Sequence, residues 1–108
     1  MNLRLCSNEL RFRVTKSEAS RLLETQTLTE LVPVSHGHTI SIVIHVSDKL
    51  NLKFSNLEFE LEIPATHVRR LSQAKERSEM CWQTKWPDET GQLNIVFEVD
   101  VFSKAKDT

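Results

Sequence analysis

With 108 residues, 39% apolar and 27% charged, the chain is long enough to fold as one domain that buries roughly 65% of its unfolded surface, and too apolar for a disordered segment. Fourteen basic residues against fifteen acidic leave a formal charge of −1, which excludes a global attraction to nucleic acid or to an anionic membrane. No stretch approaches the roughly 20 apolar residues that span a bilayer, and Arg4 interrupts the first apolar stretch where a secretory signal needs an unbroken one, so no membrane association and a cytoplasmic address are expected.

Leu3, Leu5, Leu10, Phe12 and Val14 alternate with Arg4, Arg11 and Arg13, the period-two pattern of strands with one buried and one polar face. A two-residue turn at Ser7-Asn8 sets Leu5 opposite Leu10 and Arg4 opposite Arg11. That like-charge pair needs an acid or a bound anion beside it. Thr15-Lys16-Ser17-Glu18 is a capping-box pattern, and the helix it starts should run to about Thr25 with Ala19, Leu22 and Leu23 buried. Residues 27–35 read as a strand, His36-Gly37 as a turn, and residues 39–46 as a strand with Ile40, Ile42, Ile44 and Val46 on one face.

The second half follows the same plan. Residues 50–54 and 57–63 form an alternating pair around a turn at Ser55-Asn56, which sets Lys53 opposite Glu58. Pro64 suits the first position of a helix that turns Ala65, Val68, Leu71 and Ala74 inward. Residues 80–86 read as a strand with Trp82, Thr84 and Trp86 on one face, residues 87–91 as a turn, and residues 93–102 as a closing strand. There Glu98 and Asp100 take the polar side, and Phe97, Val99 and Val101 the core side.

Strand, strand, helix, strand, strand thus occurs twice. The expected fold is α+β: an antiparallel twisted sheet or small barrel of about eight strands with two helices, built from a ββαββ unit with residues 1–47 and 50–103 as pseudo-repeats. Leu10-Arg11-Phe12-Arg13-Val14 lies on Leu57-Glu58-Phe59-Glu60-Leu61 with apolar positions matched and charges reversed.

On the polar face of such a sheet Arg4, Arg11, Arg13 and Lys53 meet Glu58, Glu60, Glu62, Glu98 and Asp100. One reading is a cross-strand ion-pair lattice on a solvated surface. In the other, Arg4, Arg11 and Arg13 grip a phosphate or carboxylate while Glu60, Glu62, Glu98 and Asp100 hold Mg²⁺ or Mn²⁺, a groove suited to metal-assisted attack on a phosphoanhydride. A charged interior on alternating strands is similar in principle to triphosphate-tunnel enzymes, which open with Glu-x-Glu-x-Lys, whereas Glu58-Phe59-Glu60-Leu61-Glu62 lacks the lysine. His36 and His38 flank Gly37 and point the same way in an extended segment, which makes them a weaker two-imidazole metal candidate, and His67 is expected to be exposed. Arg69, Arg70, Lys75 and Arg77 form a basic patch near Trp82 and Trp86, but Glu76 and Glu79 dilute it and do not favour nucleic acid. Cys6 and Cys81, isolated in sequence, read as reduced, buried thiols. The chain has no Gly-x-Ser-x-Gly and no phosphate-loop glycines.

Leu3-Arg4-Leu5, Asn8, Leu10-Arg11-Phe12-Arg13, Thr15 and Ser17-Glu18, with Gly91-x-Leu93 and Glu98-x-Asp100 at the other end, resemble a family of small uncharacterised bacterial proteins. Its members read M-K-x-R-x-x-x-N-x-L-R-x-R-L-T-x-S-E at the start and G-x-L-x-x-x-x-E-K-D-F at the end; this chain departs at Val99 and at Val101-Phe102. No activity comes with the resemblance, which implies that Arg4, Arg11, Arg13, Glu98 and Asp100 belong to one shared feature. The expected function is a small, cytoplasmic, non-catalytic module that binds a protein partner or a small anionic ligand through the Arg/Glu face, needs no cofactor, and forms a homodimer, if any, through a sheet edge. The alternative is a metal-dependent binder or hydrolase of a phosphorylated small molecule on the same face.

Overall fold

Asn2–Cys6 (β1) and Glu9–Thr15 (β2) pair antiparallel around Ser7-Asn8, with Leu5 opposite Leu10 and Arg4 opposite Arg11 as the alternation requires. The structure, a computed structural model, describes residues 1–75, 78–85 and 90–100. The expected positions of Glu76, Arg77, Trp86, most of the turn after it, Val101 and Phe102 lie outside the described residues.

Helix α1 (Lys16–Thr25) begins where the sequence marks its start. The Thr15 hydroxyl accepts from the Glu18 N–H at 3.1 Å, and the Glu18 carboxylate accepts from the Thr15 N–H at 2.9 Å, so two of the helix's orphan donors are satisfied reciprocally. The helix ends at Gln26, whose backbone turns left-handed (φ 68°) while its N–H donates to the Leu22 carbonyl at 2.8 Å. Burial pushes the Glu18 carboxyl up, but hydrogen bonds from the Met1 amino group and from Thr15 outweigh it and hold the group below its ordinary value. A carboxyl lowered by folding contributes stability that is complete above its unfolded pKa of about 4.3 and is lost as the pH falls through the lower folded value. Glu18→Gln keeps the capping geometry and removes the charge. Its unfolding free energy, followed by urea denaturation from pH 6 down to pH 3, should therefore fall less steeply than that of the wild type.

The remaining elements are β3 (Thr27–Ser35), β4 (His38–Ser47), β5 (Asn51–Ser55), β6 (Glu58–Pro64), α2 (Ala65–Ser72), β7 (Glu79–Thr84) and β8 (Leu93–Asp100). Among the described residues they form two four-stranded sheets, in the orders β1-β2-β8-β7 and β3-β4-β6-β5, with no closed barrel. Neither sheet is purely antiparallel: each is two antiparallel hairpins joined by a parallel central pair, β2 with β8 and β4 with β6. The sequence pattern could not distinguish this, because alternation specifies which face a residue takes and says nothing about which hairpin lies alongside.

The two halves of the chain interlock. Each contributes its first hairpin to one sheet and its second to the other, and β2 meets β8 in the register in which β6 meets β4. Arg11 opposite Val96 corresponds to Glu60 opposite Val43. Even the first bond of each parallel pair recurs: the Asn94 N–H donates to the Asn8 carbonyl at 2.8 Å, and the Ser41 N–H to the Leu57 carbonyl at 2.9 Å. Leu10, Phe12 and Val14 thereby correspond to Phe59, Leu61 and Ile63, two residues beyond the expected overlay on 57–61.

The cause is the second turn. It is Asn56-Leu57, with φ of 51° and 61°, in place of Ser55-Asn56. Two left-handed residues give a hairpin turn whose twist matches that of the strands, and asparagine tolerates that conformation well. Lys53 consequently pairs with Glu60 and not Glu58, and Phe54 with Phe59, their ring centroids 4.4 Å apart.

The inner faces of both sheets share one hydrophobic cluster with the two helices. Leu10, Phe12, Val14, Ile95, Phe97 and Val99 come from one sheet, Leu28, Ile42, Ile44, Leu61 and Ile63 from the other, and Ala19, Leu22, Val68 and Leu71 from α1 and α2. Pro64 stands immediately before α2 as its cap residue, and its fixed φ of −65° already suits the turn into the helix. His67, expected on the surface, is half-buried, and its Nδ1 is enclosed without a hydrogen-bond partner among the described residues.

Candidate functional site

Because the two inner faces close on one core, the polar faces of the sheets point away from each other, and the charges expected on one surface divide between two. The outer face of the first sheet carries Arg4 from β1, Arg11 and Arg13 from β2, and Glu98 and Asp100 from β8. The parallel register sets Arg13 beside Glu98 and Thr15 beside Asp100, so each arginine of β2 reaches the acid one pleat further along β8. Arg11 Nη1 donates to Glu98 Oε2 at 3.0 Å and Arg13 Nη2 to Asp100 Oδ2 at 3.1 Å, with Arg13 Nε 3.6 Å from Glu98 Oε1. The two ends of the chain do meet through opposite charges.

Arg11 meets a carboxylate at each of its three side-chain nitrogens. Its Nε donates to Glu9 at 3.2 Å and its Nη2 lies 3.5 Å from Glu79, in addition to the bond with Glu98. Burial works against its charge, but the hydrogen bond with Glu9 and the nearby carboxylates of Glu79 and Glu98 hold the guanidinium above its ordinary value. Glu98 is a buried charge, with 9% of its side chain exposed, and beside it Val96 is buried although it lies on this outer face. Long arginine stems provide that kind of cover.

Arg4 is different. Directly opposite Arg11, it makes no ion pair with any described residue, and it lines an open cavity of about 300 Å³ together with Asn2, Arg11, Arg13, Glu79 and Glu98. The wall carries three guanidiniums against two carboxylates. Among the described residues the compensation that an Arg4–Arg11 pair demands is thus delivered to Arg11 alone.

Glu9 and Asn2 do not stand out in the sequence, and Glu79 does so only as an acid that dilutes the basic patch. Glu79 had a signal: the β7–β8 register sets it opposite Glu98, and two facing carboxylates require a cation between them, which Arg11 supplies. That register depends on the connection between the two strands, which carries no two-residue turn signature.

The outer face of the second sheet holds Lys53, Glu58, Glu60 and Glu62. At the position corresponding to Arg11–Glu98 a carboxylate stands in place of the arginine and an imidazole in place of the acid: Glu60 Oε2 lies 3.2 Å from His45 Nε2, whose Nδ1 is 2.6 Å from the Thr27 hydroxyl. Lys53 Nζ is 4.0 Å from Glu60. Asn51 donates to Glu62 at 3.1 Å and, helped by Lys49 and Lys53, holds that carboxyl below its ordinary value. Glu60 and Glu62 therefore stand apart from Glu98 and Asp100, and the four carboxylates do not converge. Among the described residues no three His, Cys, Asp or Glu side chains are gathered to hold a metal ion.

His36 and His38 are exposed at the β3–β4 turn, where His38 Nδ1 lies 3.0 Å from the Ser35 hydroxyl. Cys6 and Cys81 are free and exposed, not buried: each sits on the outer face of an edge strand, where alternation turns it away from the core. Arg69 and Arg70 are exposed in the last turn of α2. Among the described residues no helix is long and apolar enough to cross a membrane.

No curated protein and no solved structure matches this chain. A family model does, along nearly the whole length, and it brings no activity with it. The chain, matched over residues 1–103, belongs to a family of unknown function, DUF7009.

Proposed function

We propose that the protein is a non-catalytic binding module of the bacterial cytoplasm that takes a small anionic group, a phosphate or a carboxylate, in the cavity between β1 and β8. The observation that carries this reading is the Arg4 guanidinium, without an ion-pair partner among the described residues, facing that cavity beside an Arg11 whose three side-chain nitrogens each meet a carboxylate. A rigid ion-pair network holds Arg11 and Arg13 in place, so a ligand meets a positioned electrostatic wall and pays ordering entropy only for Arg4. Asn2 adds an amide donor on the same rim. Binding by guanidinium and amide needs no metal and no cofactor. Two exposed, unpaired thiols fit a reducing compartment. A protein partner presenting an acidic side chain would use the same contacts.

The reading is tested by thermal denaturation with pyrophosphate and with succinate as probes. At a hundredfold excess over the dissociation constant a ligand of the folded state adds about 2.7 kcal/mol, a shift of several degrees. Arg4→Ala should abolish the shift, whereas Lys53→Ala, the corresponding position on the other sheet, should leave it intact. Equal shifts in both variants, or none in the wild type with either probe, would remove the site.

A further inference from the structure

β1 and β3 are edge strands of different sheets, and between them the core opens into a groove of about 350 Å³. Its walls are mainly apolar, with Leu3 and Leu5 from β1, Val32 and Val34 from β3, Ile40 from β4 and Phe59 from β6. Leu5 is 68% exposed and Val34 54%, although both point to the core side of their strands. Surface of this kind, concave and rimmed by polar residues, marks an interaction site more often than an accident of packing.

The correspondence between the two halves says what belongs there. Glu30 stands opposite Ile42 on β4 as Trp82 stands opposite Ile95 on β8, and Ile42 and Ile95 are corresponding core positions. In the second half the space over the isoleucine is filled by an indole packed on the core. In the first half the same position holds a carboxylate, 39% exposed and 3.7 Å from the Met1 amino nitrogen, and the space is open.

We infer that this groove docks an extended segment of a partner protein that carries an aromatic side chain two residues from a basic one. The ring occupies the volume that Trp82 takes in the other half, and the base meets Glu30. Residues two apart share one face of a strand, so both reach the groove together. The flanking edges present unpaired N–H and C=O groups that an extended backbone satisfies and an acyl chain does not. A second copy pairing β1 against β1 antiparallel about the middle of the strand would bring Arg4 onto Arg4, which disfavours it.

The probe is the blocked peptide Ac-Thr-Trp-Thr-Lys-Thr-NH₂, titrated into the ¹⁵N-labelled full chain. Amides of Leu3, Leu5, Val32 and Ile40 should shift, the Trp→Ala peptide should bind at least tenfold more weakly, and the Lys→Glu peptide about tenfold more weakly. Val34→Glu, at an exposed position, should abolish the shifts while leaving the rest of the spectrum unchanged. Glu30→Gln should bind the Lys and Glu peptides equally and so tests the idea even if Val34→Glu fails to fold. The inference is overturned if the groove amides do not move, if wild-type protein binds the Lys and Glu peptides equally, or if dodecanoate moves those amides and the peptide does not. Concentration-dependent shifts at the same amides without peptide would assign the groove to a second copy and overturn it too.

Discussion

Arg11→Met should lower the unfolding free energy by about 2–3 kcal/mol, measured by urea denaturation at neutral pH. The reason is what remains behind. Glu98 keeps 9% of its side-chain surface and loses its 3.0 Å partner, while Glu79 and Glu9 lose a shared cation. Arg13 Nε, 3.6 Å away, still offsets part of the charge, which places the effect below the roughly 3–5 kcal/mol of a fully buried pair left with one member. The double variant Arg11→Met with Glu98→Leu should be more stable than the single arginine variant, because the stranded carboxylate is gone. If the two losses instead add, the pair is an independent surface contact. The same protein separates structure from binding: the Arg4→Ala variant should lose the anion response at nearly unchanged stability, since Arg4 is exposed and unpaired among the described residues.

Phe97→Ala should cost more, about 3–5 kcal/mol. Phe97 is fully buried on the inner face of β8, with Phe12 as its partner on the parallel side and Met80 on the antiparallel side. Truncation opens a cavity at the strand that joins the first hairpin to the last, where rigid neighbours on both flanks limit collapse. Phe54→Ala, 40% exposed at an edge, removes the same ring and should cost well under half as much in the same urea titration. Equal losses at the two sites would mean that the shared cluster does not depend on the β2–β8 seam.

Most of the local structure was legible because it is written in short-range chemistry. Thr15 and Glu18 marked the start of α1 to the residue, and Ile40, Ile42 and Ile44 chose the inner face of β4 by alternation alone. The assembly of hairpins was not legible. A parallel neighbour requires no turn and imposes no pattern beyond the one a buried face already has, so β2 beside β8 and β4 beside β6 left no separate mark. One left-handed pair, Asn56-Leu57, moved the register of the second hairpin and with it the partner of Lys53. The grouping of Arg4, Arg11, Arg13, Glu98 and Asp100 followed from the resemblance carried by the opening and closing motifs, not from alternation, which puts Lys53, Glu58, Glu60 and Glu62 on the same polar face. Their separation from Glu60 and Glu62 could not, because both sets have the same period and only the layering divides them.

The seam between β2 and β8 also sets a timetable. A ribosome makes β2 well before β8, with α1, α2 and five strands between them, so one long side of β2 goes without its hydrogen-bonding neighbour until all of those elements have been made. Any product that stops short of Leu93 keeps that side bare, a template for sticking to other chains. A pairing between segments so far apart in sequence therefore makes incomplete forms the ones most in need of a chaperone.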